Sequence, residues 1–136
     1  AAGKRLCTAA EYLAAGSGAA GNAYPYGDAF DADACNTESL DGIPGGGDDD
    51  VLLPIGAALL AACVADDGVH DLSGNLKEWT DDITGQTSDG VDIVVLRGGA
   101  YDTPAGGATC AFRSSRAPVN VVLPTVGFRC CSSAPP

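Results

Sequence analysis

The stretch Gly68-Val69-His70-Asp71-Leu72-Ser73-Gly74-Asn75-Leu76-Lys77-Glu78-Trp79-Thr80 limits the fold more than any other part of the chain. It holds the only Trp and the only His. Val69, Leu72, Leu76 and Trp79 can anchor it in a core, which leaves Asp71 and Glu78 beside the Ser73-Gly74-Asn75 turn. Carboxylates and backbone carbonyls gathered by one tight loop are the donors a hard cation such as calcium requires. The plainer reading of the same residues is a polar turn with two solvated acids.

At 136 residues the chain is expected to form one domain, residues 1–136, with a single core. Seven basic against eighteen acidic residues give a net charge of -11, which argues against nucleic acid or an anionic membrane as partner. Such a surface suits cations, or simple solubility. Nineteen Gly and eight Pro with few aromatic residues point to short elements and many loops. The longest apolar run, residues 51–65, is too short to span a bilayer and is broken by Pro54 and Gly56, so no membrane insertion is expected. No signal peptide is visible, and any such segment is expected to have been removed. Six cysteines in a small acidic chain favour an oxidising compartment, secreted or periplasmic, with up to three disulfides. A zinc site would want paired C-x-x-C spacing or further histidines.

Thr8 is a good N-cap with Glu11 three residues on, a capping box, and Cys7 and Tyr12 stand at the staple positions. The helix is expected over residues 9–15, stopped by Gly16. Tyr24-Pro25-Tyr26-Gly27 reads as a turn whose aromatics cover one end of the core. Residues 51–65 read as buried irregular structure or a short strand, and residues 83–89 as an exposed loop. Val91 to Leu96 is the strongest strand, β-branched and mostly apolar, and it delivers Arg97-Gly98-Gly99. Val126 to Cys130 is the expected last strand.

Five blocks, in order, resemble the formylglycine-generating enzyme (sulfatase-modifying factor) family. They are Gly3 to Tyr12, Tyr24-Pro25-Tyr26-Gly27, the stretch from Gly68 to Thr80, Arg97-Gly98-Gly99-Ala100-Tyr101, and Gly127-Phe128-Arg129. The third is similar to the family's G-V-x-D-[LM]-x-G-N-V-W-E-W signature. The resemblance implies an α+β, irregular, loop-rich, C-type-lectin-like fold. In the family the first block follows an N-terminal strand and a first helix, so those elements are expected to be missing. The strand edge and apolar face left behind would be covered by another chain, another copy or a proteolytic partner.

The resemblance also implies two structural calcium sites. One takes the Asp71 side chain, the carbonyls of Gly74 and Leu76, and the Glu78 carboxylate. Lys77 replaces the usual Trp, and its ammonium is expected to make a surface contact away from the ion. The other matches Asn36 and the carbonyl of Thr37, with one of Asp48, Asp49 and Asp50 completing it; a solvated acidic insertion is the alternative. One family cysteine precedes this start and another falls at Gly16, their partners matching Cys130 and Cys110. The pattern is therefore expected to be rearranged, into Cys35–Cys63, Cys7–Cys131 and Cys110–Cys130.

The family's oxidase activity resembles copper chemistry at two cysteines shortly after the R-G-G block, since a soft cuprous ion demands thiolates. Residues 102–108 contain no cysteine, and Cys110 matches a structural one, so that activity is expected to be absent. The family's iron-dependent sulfoxide synthases need several histidines; lone His70 reads as a core or surface residue. Neither a G-x-S-x-G elbow nor a phosphate loop is present. Ser114, Ser115 and Arg116 near Arg113 could bind an anion, or simply be solvated. The expected function is a secreted, non-catalytic, calcium-stabilised binding or assembly module. Its ligand would be a protein, a glycan or further copies of itself, met by the loops between Thr103 and Pro124. The alternatives are a divergent oxidase using Cys110 with a terminal cysteine, and a structural subunit of an extracellular assembly.

Overall fold

The computed structural model describes residues 3–40, 51–113 and 115–132. The acids Asp48, Asp49 and Asp50 and the hydroxyl residue Ser114 lie outside them. The order is β1 (Lys4–Leu6), α1 (Ala9–Ser17), β2 (Lys77–Gln86), β3 (Asp92–Arg97), β4 (Arg116–Pro118), β5 (Val126–Phe128) and β6 (Cys130–Ser132). Single 3-10 turns cover Ala58–Leu60 and Ala105–Gly107, and the other described residues form loops. This is the irregular α+β, loop-rich architecture the sequence implied.

The helix begins where the capping box places it. Thr8 Oγ1 accepts the Glu11 N–H at 3.1 Å, and the Glu11 carboxylate accepts the Thr8 N–H at 2.9 Å. Arg5 of β1 holds the same carboxylate at 2.6 and 2.7 Å, and Asp82 of β2 accepts the Ala9 N–H at 2.5 Å. Gly16 does not end the helix, which runs on to Ser17 and is capped by Gly18 at φ 57°. The glycine answers a packing need instead: a Cβ at position 16 would lie 2.6 Å from Cys110 Sγ.

Four strands form one sheet in the order β4-β3-β2-β5. β3 is antiparallel to both β2 and β4, and β5 runs parallel to β2. Residues 83–86, expected in a loop, continue β2: Ile83, Gly85 and Gln86 pair with Val94, Ile93 and Asp92 across two register shifts. Backbone pairing and the side-chain hydrogen bonds of Thr84 and Gln86 to Ile93 and Asp92 hold this exposed end, so it leaves no hydrophobic alternation to read. The expected last strand is two strands. Arg129 separates β5 from β6, and β6 pairs with β1 in a separate two-stranded sheet.

Residues 51–65 are neither a strand nor uniformly buried. Val51, Leu52, Ile55 and Leu59 are exposed, whereas Leu60 and Cys63 are buried. Pro54 and Gly56 prevent regular pairing, and the Cys35–Cys63 disulfide fixes only the distal end. A second disulfide, Cys7–Cys131, joins the end of β1 to β6. The third expected pair is corrected: Cys110 and Cys130 are both free. Cys110 is buried against Gly16 of α1, while Cys130 is exposed on β6. The core has two centres, Tyr12 with Ala65 and Leu72, and the Cys35–Cys63 disulfide with Leu60. Tyr24 is buried and stacks on Tyr26 at 5.4 Å between ring centres.

Candidate functional site

The turn from Asp71 to Asn75 lies between the two core centres. Leu72, fully buried, roots it in the first. Asp71, Gly74 and Asn75 all take left-handed backbone, at φ 57°, 77° and 63°. Gly74 is obligatory, since a Cβ there would lie 2.2 Å from the Asn36 carbonyl oxygen. Its N–H donates to the Gly98 carbonyl at 2.6 Å, and Ser73 Oγ donates to the Ala108 carbonyl at 2.6 Å.

Asn75 is the hub of this turn. Its N–H donates to the Asn36 carbonyl at 2.7 Å, and its own carbonyl accepts the Tyr101 N–H at 3.1 Å. Oδ1 accepts both Asn36 Nδ2 and the Leu53 N–H at 3.0 Å, while Nδ2 donates to the Leu53 carbonyl at 3.0 Å. The single amide joins three chain segments, and each polar atom finds a partner.

Glu78 and Asp71 face a cavity of about 270 Å³, lined also by Ile55, His70, Asn75, Leu76, Phe128 and Arg129. Arg129 reaches back from the end of β5 across β2. Its guanidinium bonds both Glu78 carboxylate oxygens and donates to the carbonyls of His70 and Asp71 at 3.2 and 3.1 Å. It also lies 5.4 Å over the Tyr12 ring, whose hydroxyl donates to the Leu72 carbonyl at 3.0 Å. Burial pushes the Glu78 carboxyl above its ordinary value, the Arg129 hydrogen bonds and charge pull it back, and the Asp71 charge adds to the rise.

The donors fit a hard cation in type. Asp71, Leu76 and Glu78 border one cavity, and no hydrogen bond among the described residues is made to the carbonyls of Gly74 or Leu76. Asp71 uses one carboxylate oxygen to accept the Gly56 N–H at 2.8 Å. No group of three His, Cys, Asp or Glu side chains that could hold a metal occurs among the described residues, so a site here depends on the backbone carbonyls. Arg129 already supplies one positive charge to Glu78. Asn36 and Thr37 are both buried. Asn36 Nδ2 is committed to the Val51 carbonyl and to Asn75, and Thr37 Oγ1 has no hydrogen-bond partner among the described residues.

Lys77 points to Asp102, with Nζ 3.9 Å from a carboxylate oxygen. His70 is half-buried, and its Nδ1 has no hydrogen-bond partner among the described residues. Arg97 is buried and donates through one nitrogen to the carbonyls of Cys110, Ala111 and Phe112, at 3.3, 3.1 and 3.1 Å. The R-G-G arginine thus shapes the loop after it. Sequence reasoning gave no role to Arg129 or to the Asn75 side chain. The signal for Arg129 was a charge set in the apolar run Val126-Gly127-Phe128, where burial demands an acid.

Fold and clamped turn together define a small disulfide-bonded α+β domain of the formylglycine-generating-enzyme type. Residues 1–134 match the sulfatase-modifying factor enzyme 1-like domain, and the chain belongs to that family. Three solved structures are similar to it over 93% of its length: CarF, at 23% identity and a TM-score of 0.70; variable protein 1 of Treponema denticola, at 23% and 0.65; and PvdO of Pseudomonas aeruginosa, at 21% and 0.66. The chain spans 46%, 46% and 51% of their respective lengths, about half. At such identities the likeness concerns the fold. No curated protein matches the chain at a significant level.

Proposed function

We propose that the chain is a non-catalytic, extracytoplasmic binding or assembly module whose Asp71–Glu78 turn is stabilised by calcium. The observation that carries the non-catalytic reading is the disposition of the thiols. Four cysteines are in disulfides. Of the other two, Cys110 is buried, its thiol pushed up to about 11 by burial, and Cys130 is exposed on β6. A cuprous ion wants a pair of accessible thiolates, and a thiol held protonated in a core is a poor donor. Two disulfides support an oxidising compartment. Among the described residues no helix is long and apolar enough to cross a membrane.

The carboxylates of Asp71 and Glu78 and the carbonyls of Gly74 and Leu76 would hold the calcium. Its chemistry there would be to add positive charge beside Glu78, whose carboxyl is held above its ordinary value by burial and by the Asp71 charge. Exposed Val119, Val122, Leu123 and Phe128 support an apolar face for a protein or glycan ligand, or for another copy of the chain. Chelation is expected to lower the melting temperature of the native protein and added calcium to restore it; an unchanged melting curve removes the ion from the account. Native protein is expected to take up no stoichiometric cuprous ion. Uptake abolished by Cys110→Ser and by Cys130→Ser would instead establish the oxidase reading.

A further inference from the structure

A second cavity, of about 320 Å³, opens on the β2–β3 sheet and shares no residue with the calcium turn. Its walls are apolar, from Leu6, Ile83 and Val94, and three further side chains give it a distinct chemistry: Trp79, Asp81 and Asp92. Trp79 and Asp81 are two apart on β2, while Asp92 opens β3. No described aromatic ring or guanidinium packs on the Trp79 indole. Among the described residues no basic side chain lines the cavity. The guanidinium of Arg5, whose charge reaches Asp81, is bound to Glu11. Asp92 accepts one hydrogen bond, from Gln86 Nε2 at 2.7 Å.

We propose that this cavity receives a lysine side chain of a partner polypeptide, its aliphatic stem along Leu6, Ile83 and Val94 and its ammonium between Trp79 and the carboxylates of Asp81 and Asp92. Charge complementarity selects that occupant. A cation gains from an indole and from two acids, and a four-methylene stem buries its length on apolar walls. An anion meets two like charges, and a neutral aliphatic group gains nothing from either carboxylate.

Because Trp79 is the only tryptophan, its fluorescence reports this cavity directly. The native chain is titrated with Nα-acetyl-lysine methylamide, with the norleucine counterpart as the uncharged control. The lysine derivative is expected to give a saturable change, and the norleucine derivative to bind about tenfold more weakly. The Asp81→Asn/Asp92→Asn variant, which keeps shape and the Gln86 acceptor, is expected to lose a similar factor at an unchanged melting temperature. No saturable change, equal binding of both derivatives, or undiminished binding by that folded variant overturns the proposal. So does a fluorescence change that follows protein concentration, which would assign the face to a second copy of the chain.

Discussion

Arg129 clamps the turn from outside, as Asn75 does from within. Its guanidinium spans Glu78, two backbone carbonyls and the Tyr12 ring, so it fixes the orientation of the strand end and the direction of the turn together. Removing one partner of such a pair leaves the other buried and uncompensated, which costs about 3–5 kcal/mol. Arg129→Gln is therefore expected to destabilise the chain by that amount in urea unfolding. In calcium-free protein, Arg129→Met/Glu78→Leu is expected to recover most of the loss, because neither member of the pair then remains charged and buried. If Arg129→Gln costs under about 1 kcal/mol, Glu78 reaches water and the clamp is incidental.

The helix α1 is held at its start by charge and along its body by close contact. Glu11 is drawn down to about 2 from its ordinary 4.5, by the hydrogen bond from Arg5 first and the Thr8 backbone N–H second. A carboxyl lowered in the folded state adds stability above its unfolded value, and that stability is lost as pH falls through the folded value. The melting advantage of the native chain over Glu11→Gln should hold at neutral pH and disappear between pH 4.5 and about 2. An advantage that persists at the acid end would place the effect in the capping geometry alone. Further along, a Cβ at Gly16 would lie 2.6 Å from Cys110 Sγ and 3.2 Å from its Cβ. Gly16→Cys is expected to close a disulfide with Cys110 only as the two Cβ atoms move apart from 3.2 Å toward the usual separation of about 3.5–4.5 Å, so its gain in the oxidised protein is expected to stay below about 2 kcal/mol. Thiols titrated after denaturation should fall from two, Cys110 and Cys130, to one, and reductant should abolish the gain.

One disulfide ties Cys7 to Cys131 and the other ties Cys35 to Cys63. Cys7–Cys131 closes a loop of sequence separation 124 and sits where β1 meets β6. Cross-linking so long a loop removes unfolded-state entropy worth about 4–5 kcal/mol. Cys7→Ser/Cys131→Ser is expected to lose about that much in urea unfolding and to expose the β1–β6 pair to amide exchange first. Equal protection of β1 and β3 in that variant would show that packing alone holds the ends.

The capping box, the strand expected at 91–96 and found at 92–97, the loop-rich α+β character and the family were legible in the chain, because each is written in neighbouring residues. Thr8 with Glu11, a β-branched run, and glycines at fixed offsets act over distances the backbone itself sets. The partner of Glu78, the hub at Asn75, the length of β2 and the fate of Cys110 depended on segments that meet only after folding. A buried carboxylate needs some cation, but which arginine reaches it is decided by β5 lying parallel to β2. Gly16 reads locally as a helix stop and serves globally as room for a thiol, because packing against a distant loop outweighs the small local preference.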